Sequence, residues 1–198
     1  MATANNLVIF LHGIGASGAQ LLPLASSWRA HLPDTHFVAP DAPIPHRYGH
    51  QWFSTEGNPL DPARILAARQ AFDGIIEGIV RREGFANSHG KVALVGVSQG
   101  AIVALDAVAS GRWQVGAIVA FSGLLPPQQI SPVSKNTPVL LVHGEADTTI
   151  PPIASTLAAS QLKAAGCKVE LSFERGTGHT ISGAGTQVAL SFLKKTLT

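Results

Sequence analysis

The stretch Lys91-Val92-Ala93-Leu94-Val95-Gly96-Val97-Ser98-Gln99-Gly100-Ala101-Ile102-Val103-Ala104-Leu105 decides the fold. Its first half, Lys91–Val97, is short, Val-rich and almost wholly apolar, the pattern of a strand covered on both faces. Ala101-Ile102-Val103-Ala104-Leu105 then begins a helix. Between them lies Gly96-Val97-Ser98-Gln99-Gly100. The bare spacing Gly-x-Ser-x-Gly is common by chance, and only a strand before it and a helix after it give it meaning. A strand-to-helix turn this sharp strains the serine and crowds its neighbours. Glycines on both flanks relieve the crowding and leave the Ser98 Oγ exposed above the strand end. The N-terminus of the helix adds a positive dipole end where negative charge would develop. An idle serine in a glycine-rich turn is the competing reading, and this context weakens it.

Working outward, similar short runs occur at Leu7–Leu11, His36–Ala39, Val115–Phe121, Pro138–His143 and Lys168–Glu174. Segments with helical spacing separate them: 20–31, 62–82, 99–110, 153–165 and 186–197. The segment Pro62–Arg82 carries Ile65, Leu66, Phe72, Ile75, Ile76 and Ile79 at helical intervals and opens on Asp61-Pro62, a cap and first-turn pair. Alternating strands and helices with short links predict one α/β domain over 1–198: a mostly parallel, doubly wound sheet of about six strands with helices on both faces. The one long irregular stretch, Pro40–Pro59, is rich in Pro, Gly, His and aromatics. It reads as a structured loop shaping a cleft rather than a bare connection.

The 198 residues suit a single domain, and 45% apolar composition suffices for its core. Only 13% are charged, the net charge is +2, and no basic run exists, so nothing points to nucleic acid or an anionic surface. The single cysteine, Cys167, rules out an internal disulfide and reads as a small structural residue. The N-terminal residues have no cationic segment before Leu7–Leu11, and no apolar run reaches the length of a membrane span. Residue 2 is Ala and no Cys lies near the C-terminus, so two common lipidation signals are absent. These features predict a cytoplasmic protein with no stable membrane insertion.

A serine hydroxyl needs a neighbouring base to act as a nucleophile. His179, in Gly176-Thr177-Gly178-His179-Thr180, follows the last strand and precedes the last helix. Asp147, in His143-Gly144-Glu145-Ala146-Asp147, follows the strand before that. The order Ser98, Asp147, His179 and the position of each after a parallel strand match a proton-relay triad. Asp147 as a mere helix cap, His179 as a turn anchor and Glu145 as a rival acid are the weaker alternatives. His12-Gly13-Ile14-Gly15-Ala16-Ser17-Gly18, after the first strand, supplies amides for an oxyanion hole, with the Gln99 amide as the second donor. This loop lacks the Gly-Lys-Ser/Thr ending of a P-loop, and His12 reads as its brace.

Taken together, Leu11-His12-Gly13-Ile14-Gly15, Trp52-Phe53, Gly96-Val97-Ser98-Gln99-Gly100, Phe121-Ser122-Gly123, His143-Gly144-Glu145-Ala146-Asp147 and Gly178-His179 resemble the carboxylesterase/phospholipase/acyl-protein thioesterase family of α/β-hydrolases across nearly the whole chain. The resemblance implies Ser98, Asp147 and His179 as the triad and the main-chain amides of Ile14 and Gln99 as the oxyanion hole. It also implies that Trp52 walls the acyl site. It departs at Ala16-Ser17, where the family usually has an acidic or glycine residue. The short chain has no evident lid insertion, which implies an open cleft.

The expected activity is hydrolysis of short- to medium-chain acyl esters or thioesters, with lysophospholipids or S-acylated proteins as the alternative substrates. No cofactor or metal is needed, and the protein is expected as a monomer or homodimer. Phe53, Leu124 and Ile181 join Ile14 and Trp52 as pocket candidates, and Leu125 and Ile150 are equally well read as core. Two other classes compete: a binding module on the same fold, which would fail to react with a fluorophosphonate, and a metal-dependent hydrolase. The latter would need His46 and His50 on one helix, which Pro45 and Gly49 oppose, and a third ligand that is not evident.

Overall fold

The computed structural model describes residues 4–58 and 61–197. Pro59 at the end of the irregular stretch, and Met1–Thr3 of the N-terminal reading, lie outside the described residues. Six strands form one sheet: β1 (Asn6–Leu11), β2 (Thr35–Val38), β5 (Val92–Val97), β6 (Ala117–Phe121), β7 (Val139–Gly144) and β8 (Val169–Glu174). Their order is β2-β1-β5-β6-β7-β8, and every pairing is parallel. After β2 the chain returns past β1 and builds in the other direction. β1 and β5 therefore flank the switch point where such sheets open a crevice at their C-terminal ends.

Five α-helices cover the sheet: α1 (Leu22–Arg29), α2 (Pro62–Arg82), α3 (Gln99–Ala109), α4 (Ile153–Ala164) and α5 (Gly183–Thr196). Ile9, Leu94, Ile118 and Leu141 pack on one face with α2, α3 and α4 through Phe72, Ile76, Ala104 and Leu162. Val8, Val95, Val119 and Leu140 pack on the other with α1 and α5 through Trp28, Ala189 and Leu193. Alternate residues of each strand thus enter opposite cores, which is why the strands are apolar on both sides. Burying each such large side chain contributes about 1.5–3 kcal/mol. Helix α2 starts as its cap predicts, with the Asp61 carboxylate accepting from the Ala63 amide at 2.9 Å.

Within 40–58 the chain forms an antiparallel hairpin that the sequence reading did not resolve: β3 (Ile44–His46) and β4 (Gly49–Gln51). It is stitched to the loop after β1 by reciprocal bonds, Gly15 N–H to the His50 carbonyl at 2.8 Å and His50 N–H to the Ala16 carbonyl at 2.9 Å. The stretch is therefore structured and borders the switch point. No helix among the described residues is long and apolar enough to cross a membrane.

Candidate active site

Ser98 sits between β5 and α3 with φ 53°, ψ −116°, a conformation that non-glycine residues adopt only under constraint. The constraint is steric. A Cβ on Gly96 would lie 2.4 Å from backbone atoms of Gly100, and a Cβ on Gly100 would lie 2.0 Å from the Leu11 carbonyl oxygen. Both glycines are there for close approach, so β5, α3 and β1 meet tightly enough to lift the serine hydroxyl. The Ser98 amide donates to the Phe121 carbonyl at 2.9 Å, tying the turn to β6.

His179, on the loop between β8 and α5, points Nε2 at Ser98 Oγ (2.9 Å) and Nδ1 at Asp147 Oδ2 (2.7 Å). Asp147, on the loop after β7, is buried, and its other oxygen accepts from the amides of Thr149 (2.9 Å) and Ile150 (3.0 Å). Burial alone would raise its pKa. The hydrogen bonds from His179, Ile150 and Thr149 outweigh that and hold the carboxyl below its ordinary range. An ionised Asp147 accepts only, so His179 Nδ1 carries the proton and Nε2 presents a lone pair to the Ser98 hydroxyl. The Asp147 reading as a cap alone is too small: one oxygen holds the turn and the other holds the imidazole. The rival acid, Glu145, is exposed, and its amide bonds to the Glu174 carbonyl on β8.

The loop 12–18 is held on several sides. The buried His12 ring bonds to the Gly13 carbonyl through Nδ1 (2.7 Å) and accepts the Ala42 amide at Nε2 (2.9 Å). Gly18 N–H donates to the Asp41 carboxylate at 2.8 Å. His12 is thus the brace the sequence suggests, and burial lowers its pKa against the opposing pull of its Gly13 bond and of Asp41. Gly13 passes directly under the serine, where a Cβ would lie 3.3 Å from Ser98 Cβ. Among the described residues, the amides of Gly15 and Ala16 are taken up inside the loop region, and those of Ile14 and Gln99 donate to no protein acceptor.

The pocket candidates divide. Ile14 is 38% exposed, and Phe53, Leu124 and Ile181 are half-buried around the strand ends. Leu125 is half-buried and packs on the core, and Ile150 is half-buried in the turn that holds Asp147. Trp52, expected to wall the acyl site, is only 1% exposed. Its indole packs against His12 and Phe72 and donates to the His12 carbonyl at 2.9 Å, so it stands behind the loop 12–18 rather than on the surface. His46 and His50 lie on opposite strands of the hairpin, not on a helix. No group of three or more metal-ligating side chains occurs among the described residues. Two clefts of about 410 and 220 Å³ lie away from Ser98, one near Gly90 and Thr137, the other beside Glu77 and Trp113. Here the chemistry, not either of these clefts, marks the site.

Residue chemistry alone missed two side chains. The buried Gln99 carboxamide accepts the Trp52 amide and donates to the Phe53 carbonyl, both at 2.8 Å. The buried His143 ring lies against Asp147. Both positions stand inside motifs, but a sequence does not say which way a side chain reaches.

A parallel sheet with this strand-to-helix turn and this hydrogen-bonded serine, histidine and aspartate has the make-up of an α/β-hydrolase, and comparison with known proteins agrees on the fold. The model of the Phospholipase/Carboxylesterase family matches residues 2–197. A probable carboxylesterase SOBER1-like protein of Arabidopsis thaliana is 30% identical over 97% of this chain and 79% of its own length. Esterase YpfH of Escherichia coli is 28% identical over 98% and 84%. Among solved structures, esterase PE8 superposes with a TM-score of 0.84 at 34% identity, covering 98% of this chain and 94% of that one. The chain belongs to the phospholipase/carboxylesterase family, and is a hydrolase of the carboxylesterase and acyl-protein thioesterase kind.

Proposed function

We propose that the enzyme hydrolyses carboxylic esters or thioesters of short- to medium-chain acyl groups through an acyl-enzyme on Ser98. The observation that carries this reading is the pair of contacts on one imidazole, 2.9 Å to Ser98 Oγ and 2.7 Å to Asp147 Oδ2. His179 takes the hydroxyl proton as Oγ attacks the acyl carbonyl. The amides of Ile14 and Gln99 receive the oxyanion, each worth about 3 kcal/mol of barrier. The imidazolium then protonates the departing alkoxide or thiolate, and a tetrahedral intermediate becomes the Ser98 acyl ester. Water, deprotonated by His179, repeats the sequence and releases the carboxylic acid. Asp147 fixes the tautomer and stabilises the imidazolium without taking its proton.

Ile14, Phe53, Leu124 and Ile181 are the apolar side chains within reach of the acyl group, with Trp52 supporting them from behind. Thioesters belong in the proposal because relatives include acyl-protein thioesterase 1 homologues, as in Dictyostelium discoideum. The reading also includes a cytoplasmic location and a monomeric or homodimeric state, tested by cell fractionation and by sedimentation of the purified protein. The decisive assay is a chain-length series of p-nitrophenyl esters and acyl thioesters. A maximum at short to medium chains is expected, and inactivity at every length would overturn the proposal.

A further inference from the structure

The triad reading leaves one buried imidazole beside its acid unused. His143, on β7, is 0% exposed, and its Nε2 lies 3.3 Å from Asp147 Oδ2, the oxygen that also receives His179. The same Nε2 is 2.8 Å from the Ile150 carbonyl. Both neighbours are acceptors, so Nε2 carries a proton, donates it to Ile150 and presents its positive edge to the carboxylate. On the far side of the ring, Nδ1 is 2.6 Å from Ser155 Oγ, which is itself buried in the first turn of α4. With Nε2 as the donor to Ile150, Nδ1 is left to pair with the Ser155 hydroxyl. The Ile150 carbonyl and the Asp147 carboxylate select this arrangement, and Ser155 pins the ring in it.

These contacts close a small circuit. Ile150 gives its amide to Asp147 Oδ1 at 3.0 Å and its carbonyl to His143. Holding the carbonyl fixes the turn whose amides fix the carboxylate. The acid of the relay is therefore aimed from below by an imidazole as well as from above by one. We infer that His143, locked by Ser155, is a positioning residue for Asp147, which sets the line from Asp147 Oδ2 to His179 Nδ1 during turnover. This rests on the triad reading above. A role in stability alone would require only that the ring fill its space and pair its nitrogens. A positioning role further requires that loss of the N–H reach the His179–Asp147 bond.

The test compares His143→Leu, His143→Gln and Ser155→Ala with the wild type on a p-nitrophenyl ester, alongside proton NMR of the low-field His179 Nδ1–H resonance. Partners that orient the ligands of a catalytic metal are worth about 10–100-fold, and an oriented carboxylate makes the same geometric demand. His143→Leu is expected to lower kcat by about that factor with KM little changed, and to move the low-field resonance upfield. His143→Gln, whose amide places an N–H near the position of Nε2, is expected to recover most of both. Ser155→Ala falls between. Folded His143→Leu with wild-type kcat and an unmoved resonance would overturn the inference, as would His143→Gln no better than Leu. Should His143→Leu fail to fold, unchanged kcat and resonance in Ser155→Ala overturns it equally. Turnover surviving in Ser98→Ala would reject the triad reading itself, a different result from an indifferent His143 in an enzyme that Ser98→Ala silences.

Discussion

Gln99 grips the backbone of Trp52 and Phe53 with both ends of its carboxamide, at 2.8 Å each, while its own main-chain amide donates to no acceptor among the described residues. One residue therefore joins the proposed oxyanion donor to the segment 52–53. Because Trp52 in turn donates to the His12 carbonyl, the clamp reaches the loop 12–18 as well. The two segments that carry the proposed oxyanion amides are thus tied by a shared set of hydrogen bonds, as a preorganised site requires.

Gln99→Ala strips this clamp and leaves the Trp52 amide and Phe53 carbonyl without partners under cover. A cost of about 1–3 kcal/mol in stability is expected from the unpaired buried groups. A drop in kcat/KM for short acyl esters should accompany it, because the oxyanion loop loses its support. Thermal unfolding and steady-state kinetics on the same variant check both.

Two glycines predict opposite outcomes for the same chemical change. At Gly100 a Cβ would meet the Leu11 carbonyl oxygen at 2.0 Å, a backbone atom that cannot step aside. Gly100→Ala should cost at least the ~1–3 kcal/mol typical of overpacking and abolish activity. Gly74, in α2, has nothing within 4 Å of its Cβ position. Gly74→Ala should raise stability by about 0.5–1 kcal/mol through helix propensity. Denaturant midpoints of the two variants test the contrast.

His12 makes stability pH-dependent in a defined direction. Burial holds its folded pKa below the ordinary 6.5, so the unfolded chain takes up this proton first as pH falls. Stability from this group is complete above about pH 6.5, declines as pH drops below it, and levels off once the folded ring also protonates. Protonation also removes the lone pair that accepts the Ala42 amide. His12→Gln, which keeps an acceptor without a titrating ring, should flatten this part of the profile. Unfolding midpoints taken between about pH 5 and 7.5 measure the slope, and an unchanged slope would contradict the assignment.

Much of the fold was legible because parallel strands buried on both faces are written as continuous apolar runs. All six sheet strands lie within one or two residues of expectation, and α2 spans Pro62–Arg82 as its Asp61-Pro62 start implied. The hairpin Ile44–Gln51 was not legible. Its three-residue strands have no alternation to read, and they exist because Gly15 and Ala16 bond to His50 from a distant loop. The meeting of Ser98, Asp147 and His179 was legible from residue type, order and position after strands. Trp52 was not: an aromatic beside a site reads as a wall, and only the packing on His12 and Phe72 reveals a brace. His143 was missed for the same reason, since its meaning lies in Asp147, Ile150 and Ser155, which surround it only after folding.

The most direct test of the account is to react the protein with a fluorophosphonate and map the adduct by mass spectrometry. A single adduct on Ser98 is expected, absent in Ser98→Ala and formed far more slowly in His179→Ala. Failure of Ser98 to label in the folded protein, or a label carried by another residue, would contradict it.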